Sequence, residues 1–544
     1  MSQLLKSSSA MGLATLLSRL LGLVREQVYA YFMGTTAVAG AFKLAFQIPN
    51  LFRRLLGEGA LTAAFVPLFK HKEQTEGEAG MWRTANAVMS GLVVVASVVI
   101  GLVMLGITVL LLVSRVQFSQ DGIEVFPPWP IPILSPDTRL MFQLLRLMFP
   151  YMLLVCLAAM CMGMLNARGH FFIPAMGATT LNLVMIASVL FLAPRFGEKL
   201  ETQIFALAIG VLVAGVAQFA FQLPILFREG FRFRWVSPWR NEDVRLVVRK
   251  MIPGTIGVAT FQLNVLVVSG ISYWVDGAIV ASFDTAVRLM EFPQGVVGIS
   301  LATTLLTTLS GLAAGKRYPE FRATLIEGLG YLIFVNLLAA VLLVTLAEPI
   351  VRLLFERGAF DRVSTRDVGL AVMTLAPGLV AFSVVNILAR AFFALGDTKT
   401  PMRVSIACLL INVAISVSLV GTFRQAGLGA ANTITSLMNV WLLSRALRKK
   451  LSKLDYSPLK PVLTSALGAA VLAGLVAWLA RVGWTHFFGH ATLPTRLGEV
   501  FVPLGLAAAV YLGVTGWLGL SQARSFYQLA RKVFRRGGTP PDRN

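Results

Sequence analysis

Cysteine and histidine are nearly missing from this chain, with three and four in 544 residues. Cys156, Cys161 and Cys408 all sit inside apolar runs, with no disulfide framework and no metal-ligand spacing. They fit as small interior residues. His71, His170, His486 and His490 lie in or near loops without a Cys or Asp cluster beside them, so no metal or cofactor is expected. Acidic charge is also scarce, 26 Asp and Glu against 48 Lys and Arg. No GxxxxGK[ST] phosphate loop occurs, so ATP hydrolysis is not expected of this chain.

What the chain has instead is apolar length. It is 56% hydrophobic and 14% charged, with a mean hydropathy of +0.74. A soluble protein of this size needs more polar surface to cover its core. Runs long enough to cross about 30 Å of hydrocarbon recur from end to end. They predict an all-α polytopic membrane protein with about fourteen spans. These lie near 10–33, 37–68, 84–113, 138–165, 174–194, 202–227, 245–272, 278–313, 321–347, 366–395, 401–421, 427–447, 460–481 and 497–519. The first run carries Arg19 and Arg25 and lacks a small-residue cleavage site, so it is a membrane helix and not a signal. The net charge of +22 does not point to nucleic acid, because the basic residues crowd into short loops between spans. Those loops alternate, and the basic set (Lys70, Lys72, Arg83, Arg168, 228–250, Lys316, Arg317, Lys399, Arg403, 445–460 and the tail) is expected to be cytoplasmic with both termini.

The chain also repeats itself. Pro150, Gly169 and Pro174 recur as Pro377, Gly396 and Pro401, each pair the same distance apart. In both copies a proline opens a long helix, a glycine marks the turn after it, and a second proline starts the next helix. The offset spans six helices, an even number, so two six-helix lobes with the same orientation are expected, 1–228 and 229–455. The helix pair in 456–520 falls outside the repeat and carries almost no charge inside its spans, and 521–544 is a basic tail.

Charges within spans carry most of the functional signal, because an Arg at mid-bilayer costs about 2.5–3.5 kcal/mol on insertion scales. The first span holds Arg19, Arg25 and Glu26. In the second, Lys43, Gln47, Asn50, Arg54 and Glu58 follow at helical spacing beside Arg53. On the eighth, Asp284, Arg288 and Glu291 share a face. Pairing such as Arg54–Glu58 or Asp284–Arg288 accounts for part of this pattern. It leaves a surplus: Arg19, Arg25, Lys43, Arg53 and Arg54 face only Glu26 and Glu58 in the first two spans. That surplus calls for an anion, and the arginine fork suits phosphate oxygens. Arg146 and Arg390, also in spans, are weaker candidates, and Arg139 near a helix end is expected to be solvated. The proline-rich outer loop from Ser114 to Asp137 is too short for a catalytic domain and pairs no base with its acids.

These charged segments carry a resemblance. SRLLGLVRE (from Ser18), AFKLAFQIPNLFRRLLGEGALTAAFVPLF (from Ala41), LNARGHFFIPA (from Leu165), VRLMEFPQGVVGISLATTLL (from Val287), LFERGAF (from Leu354) and RAFFALGDTKTP (from Arg390) are similar to the MurJ (MviN) family. Its members are lipid II flippases of the multidrug/oligosaccharidyl-lipid/polysaccharide exporter superfamily. The resemblance implies two six-helix lobes around a cationic cavity in the bacterial inner membrane, with lipid II and membrane lipids as partners and no enzymatic step. The family's cavity arginines fall on Arg19, Arg25, Arg53 and Arg288, with Asn50, Arg54, Glu26, Glu58 and Glu291 beside them. The extra helix pair would serve the polyprenyl tail, and the cycle would be alternating access biased by membrane potential. Three positions depart from the pattern: Gly40 and Val287 stand where Asp is usual, and Glu26 replaces Asp after Arg25. A drug or polyprenyl-oligosaccharide exporter of the same superfamily is one alternative. A membrane-embedded glycosyltransferase is another, disfavoured by the lack of paired carboxylates in the outer loops.

Overall fold

The computed structural model describes residues 2–52, 54–55, 61–114, 134–294, 299–525 and 527–528, and among them every regular element is helical. Arg53, Glu58, most of the proline-rich loop and the basic tail lie outside the described residues. Seven helices are long and apolar enough to cross a membrane, or nine if each of two bent pairs counts as one span, among the described residues.

The chain forms two compact units. The first ends at Ala281 and takes in Arg357–Phe360. It contains α1 (Ser2–Met33), α2 (Ala37–Phe52), α3 (Thr62–Val113), α4 (Pro136–Met148), α5 (Tyr151–Ala167), α6 (Phe172–Ala187), α7 (Leu200–Arg228), α8 (Glu242–Val275) and the start of α9 (Gly277–Pro293). The second holds the rest of α9, then α10 (Ile299–Ala314), α11 (Tyr318–Thr345), α12 (Ala347–Phe355), α13 (Arg362–Leu375), α14 (Gly378–Ala394), α15 (Lys399–Lys450), α16 (Leu459–Phe488) and α17 (Leu493–Trp517).

Two of the expected loops are barely loops. Between the second and third spans the chain stays helical except at Gly77, whose φ of 69° breaks α3. Arg424 breaks α15 in the same way with φ of 50°. Glycine reaches that region without strain, whereas an L side chain there is disfavoured.

The repeated prolines and glycines build the same local structure twice. Pro150 and Pro377 cap α5 and α14, and their missing N–H groups bend α4–α5 by 42° and α13–α14 by 49°. Gly169 and Gly396 both take positive φ. The His170 N–H bonds back to the Leu165 carbonyl, and the Asp397 N–H to that of Phe392, each at 2.9 Å. This is the six-to-one bond of a glycine-terminated helix.

The last helix pair is built into the interior of the second unit. Ala466, Ala469, Ala470 and Ala473 of α16 and Tyr511 of α17 join the core around Leu329, Leu332 and Leu337 of α11. The Tyr511 hydroxyl donates to the Phe334 carbonyl at 2.6 Å. Arg481 and Glu499, at the ends of the two helices, join an ion network with α12.

Candidate functional site

The α2 helix separates its faces cleanly. Val38, Ala39, Ala41, Phe42, Leu44, Ala45 and Leu51 are buried, while Lys43, Gln47, Asn50 and Arg54 stay partly exposed along one stripe. That is the stripe expected from helical spacing. The Lys43 ammonium donates to the Ala281 carbonyl at 3.2 Å. Arg54 Nη1 donates to Gln262 Oε1 on α8 at 3.3 Å.

On α1, Arg19 is exposed and Arg25 is partly buried. Arg25 Nη2 reaches Glu26 Oε1 at 2.6 Å, and its guanidinium lies 5.5 Å from the Tyr29 ring centroid. Neighbouring residues project about 100° apart on a helix, so the two long side chains must bend toward one another to meet. The ring face adds a cation–π contact that fixes the guanidinium further. Arg288 on α9 pairs with Glu291 one turn on, at 3.2 Å. Arg146 is partly buried on α4 and Arg390 partly buried on α14. Arg139 is not simply solvated: its Nη2 donates to the Leu111 carbonyl at 3.3 Å.

Gly40, where the resembling family usually carries Asp, has a steric cause here. A Cβ at this position would sit 2.0 Å from the carbonyl oxygen of Gly277 and 3.0 Å from its Cα. The two glycines let α2 and the start of α9 approach backbone to backbone, and no carboxylate fits between them in this conformation.

Three ion networks were not apparent from the spans. In the first, Arg168 reaches Glu73 at 2.5 Å, Glu78 at 3.0 Å and Glu229 at 2.7 Å, while His170 Nε2 lies 2.8 Å from Glu229. Hydrogen bonds from His170 and then Arg168 hold the Glu229 carboxyl below its usual range. In the second, Asp397 occupies the position that His170 holds in the other repeat copy. It accepts from Lys450 Nζ at 2.7 Å and from the Thr400 N–H at 3.0 Å. In the third, Arg352 meets Glu499, Glu348 and Glu356, while Arg481 and Arg496 bind Glu348 and Glu356 in turn.

The second network makes a pH prediction. The Lys450 hydrogen bond, then that from the Thr400 N–H, pulls the Asp397 carboxyl down to about 2. A depressed carboxylate contributes stability above its unfolded pKa of about 3.9 and loses it as pH falls through the folded value. Thermal melts of Asp397→Asn and the parent protein should therefore differ at pH 6 and converge as pH falls from 4 toward 2. A gap that stays constant to pH 2 would assign the effect to packing instead.

The profile of the family described as "Lipid II flippase MurJ" matches residues 29–498. A probable lipid II flippase MurJ of Rhizobium tropici is 33% identical over 522 residues, 95% of this chain and 94% of that protein. The lipid II flippase MurJ of Burkholderia cenocepacia is 32% identical over 94% of this chain and 96% of its own length. A solved structure, a lipid II flippase MurJ in an inward closed conformation, matches with a TM-score of 0.74 and 20% identity over 93% of this chain and 98% of that one. This likeness shows the fold, and the sequence matches extend almost end to end. The chain belongs to the MurJ lipid II flippase family.

Proposed function

We propose that this protein moves lipid II from the cytoplasmic to the periplasmic leaflet of the bacterial inner membrane, as a transporter and not an enzyme. The family match over residues 29–498 carries the reading. The test is growth: the gene should sustain cells in which the host's own lipid II flippase is depleted. Lysis despite normal membrane expression would overturn it.

In this reading Arg19, Arg25, Arg53 and Arg288 hold the substrate's diphosphate, with Glu26, Asn50, Arg54, Glu58 and Glu291 setting their positions. The charge bias of the loops supports cytoplasmic termini. Residues 1–228 and 229–455 act as the two lobes of an alternating-access cycle. The pair within 456–520 serves the polyprenyl tail, and 521–544 forms a basic cytoplasmic tail. A diphosphate carries about two negative charges, and each is worth about 2.3 kcal/mol per 100 mV of potential. An interior-negative membrane therefore favours outward movement of the anion and draws the emptied arginines back. Gly40 and Val287, in place of carboxylates, suit a cycle without a titrating acid. Valinomycin with potassium should stop flipping while the proton gradient persists. Flipping that continues under that treatment and ceases only when the proton gradient is removed would refute this drive.

A further inference from the structure

The connection between α7 and α8 is an extended strap held tightly against α3. Asn86 accepts from the Arg234 N–H and donates to the Arg232 carbonyl, each at 3.0 Å. One turn along, Ser90 Oγ accepts from the Val236 N–H at 3.2 Å. Both side chains are buried, and Phe231 packs beneath the strap with its ring 5.6 Å from Trp82. The strap is therefore fixed in place by three hydrogen bonds and a ring contact.

Its outward side does not suit water. Phe233 is 50% exposed, Trp235 58% and Trp239 72%. The first turns of α8 add exposed Leu246, Val248 and Ile252. Among these apolar groups stand Arg234, Arg240, Arg245, Arg249 and Lys250, all exposed and none with a side-chain partner among the described residues. Arg232 is used locally, donating to the carbonyls of Phe227 and Phe231. Of the nearby acids, Asp243 is engaged by Lys72 at 3.3 Å and Thr84 at 2.6 Å, which leaves Glu242 against five cations.

The strap begins just after a helix able to span the membrane ends at Arg228. Large rings beside basic groups at a span end match the headgroup layer, where the rings lie at the acyl boundary and the cations meet phosphate. We propose that residues 231–240, with the first turns of α8, form a binding surface for anionic phospholipid headgroups of the surrounding leaflet. The surface is separate from the transported substrate and does not depend on the flippase reading.

The test uses the full chain in nanodiscs of equal phosphatidylglycerol and phosphatidylcholine. On release into detergent, the parent protein should retain phosphatidylglycerol preferentially. Changing Arg234, Arg240, Arg245 and Arg249 together to Gln should lower that preference at least about fivefold, the worth of one basic residue at a charged leaflet. In the parent protein, fluorotryptophan resonances of residues 235 and 239, assigned with Trp235→Phe and Trp239→Phe, should broaden with doxyl-labelled lipid and not with a water-soluble gadolinium chelate. That second arm decides the matter if the fourfold variant fails to fold. An unchanged lipid preference would overturn the proposal, as would broadening of both resonances by the chelate, which marks a surface for a soluble partner.

Discussion

Alanine in place of Arg25, Arg53 or Arg288 is expected to abolish lipid II flipping while leaving the protein in the membrane at normal levels. Each guanidinium–phosphate hydrogen bond is worth about 1.5–3 kcal/mol. Two such bonds lost from one arginine amount to a hundredfold or more in binding, because about 1.4 kcal/mol is tenfold. The Arg25 guanidinium is held in advance by Glu26 at 2.6 Å and by the Tyr29 ring. Its side chain is partly buried, 16% exposed. Lysine at the same positions should rescue only partly, because it keeps the charge and loses the bidentate fork. Normal growth at normal expression from two of the three alanine variants would sink the assignment.

Much of this architecture was legible because membrane helices advertise themselves by apolar length, and because proline and glycine act locally. The bends at Pro150 and Pro377 and the turns at Gly169 and Gly396 follow from a missing N–H and a permitted positive φ. The polar stripe of α2 follows from helical spacing alone. What stayed hidden depends on residues far apart in the chain. Gln262, a partner of Arg54, lies 208 positions away, and Glu499 lies 147 from Arg352. No periodicity links such residues. Glu499 and Arg481 sit at the ends of their apolar runs, where a charge looks solvated when the partner cannot be seen. Gly40 likewise looks like a lost carboxylate until Gly277 is found against it.

Replacing Arg352 by alanine should destabilise the second unit by about 3–5 kcal/mol, the cost of breaking a buried ion pair from one side. Arg352 is 9% exposed and donates to Glu499 at 2.7 Å, and the Glu499 side chain is only 1% exposed. Among the described residues Arg352 is the only side chain within hydrogen-bond reach of Glu499, so its loss strands a buried carboxylate. Removing Glu499 instead is less damaging, because Arg352 keeps Glu348 at 3.1 Å and Glu356 at 3.6 Å. Those two glutamates are held in turn by Arg481 and Arg496. The asymmetry separates a charge effect from a packing effect, since both alanine variants remove a long side chain from the same place. Arg352→Met combined with Glu499→Leu fills the volume and removes both charges, and should recover most of the lost stability. Unfolding of the purified protein in detergent would measure all three variants. If Arg352→Ala cost no more than Glu499→Ala, or if the apolar double variant were the worst of the set, the buried carboxylate would not be what makes Arg352 necessary.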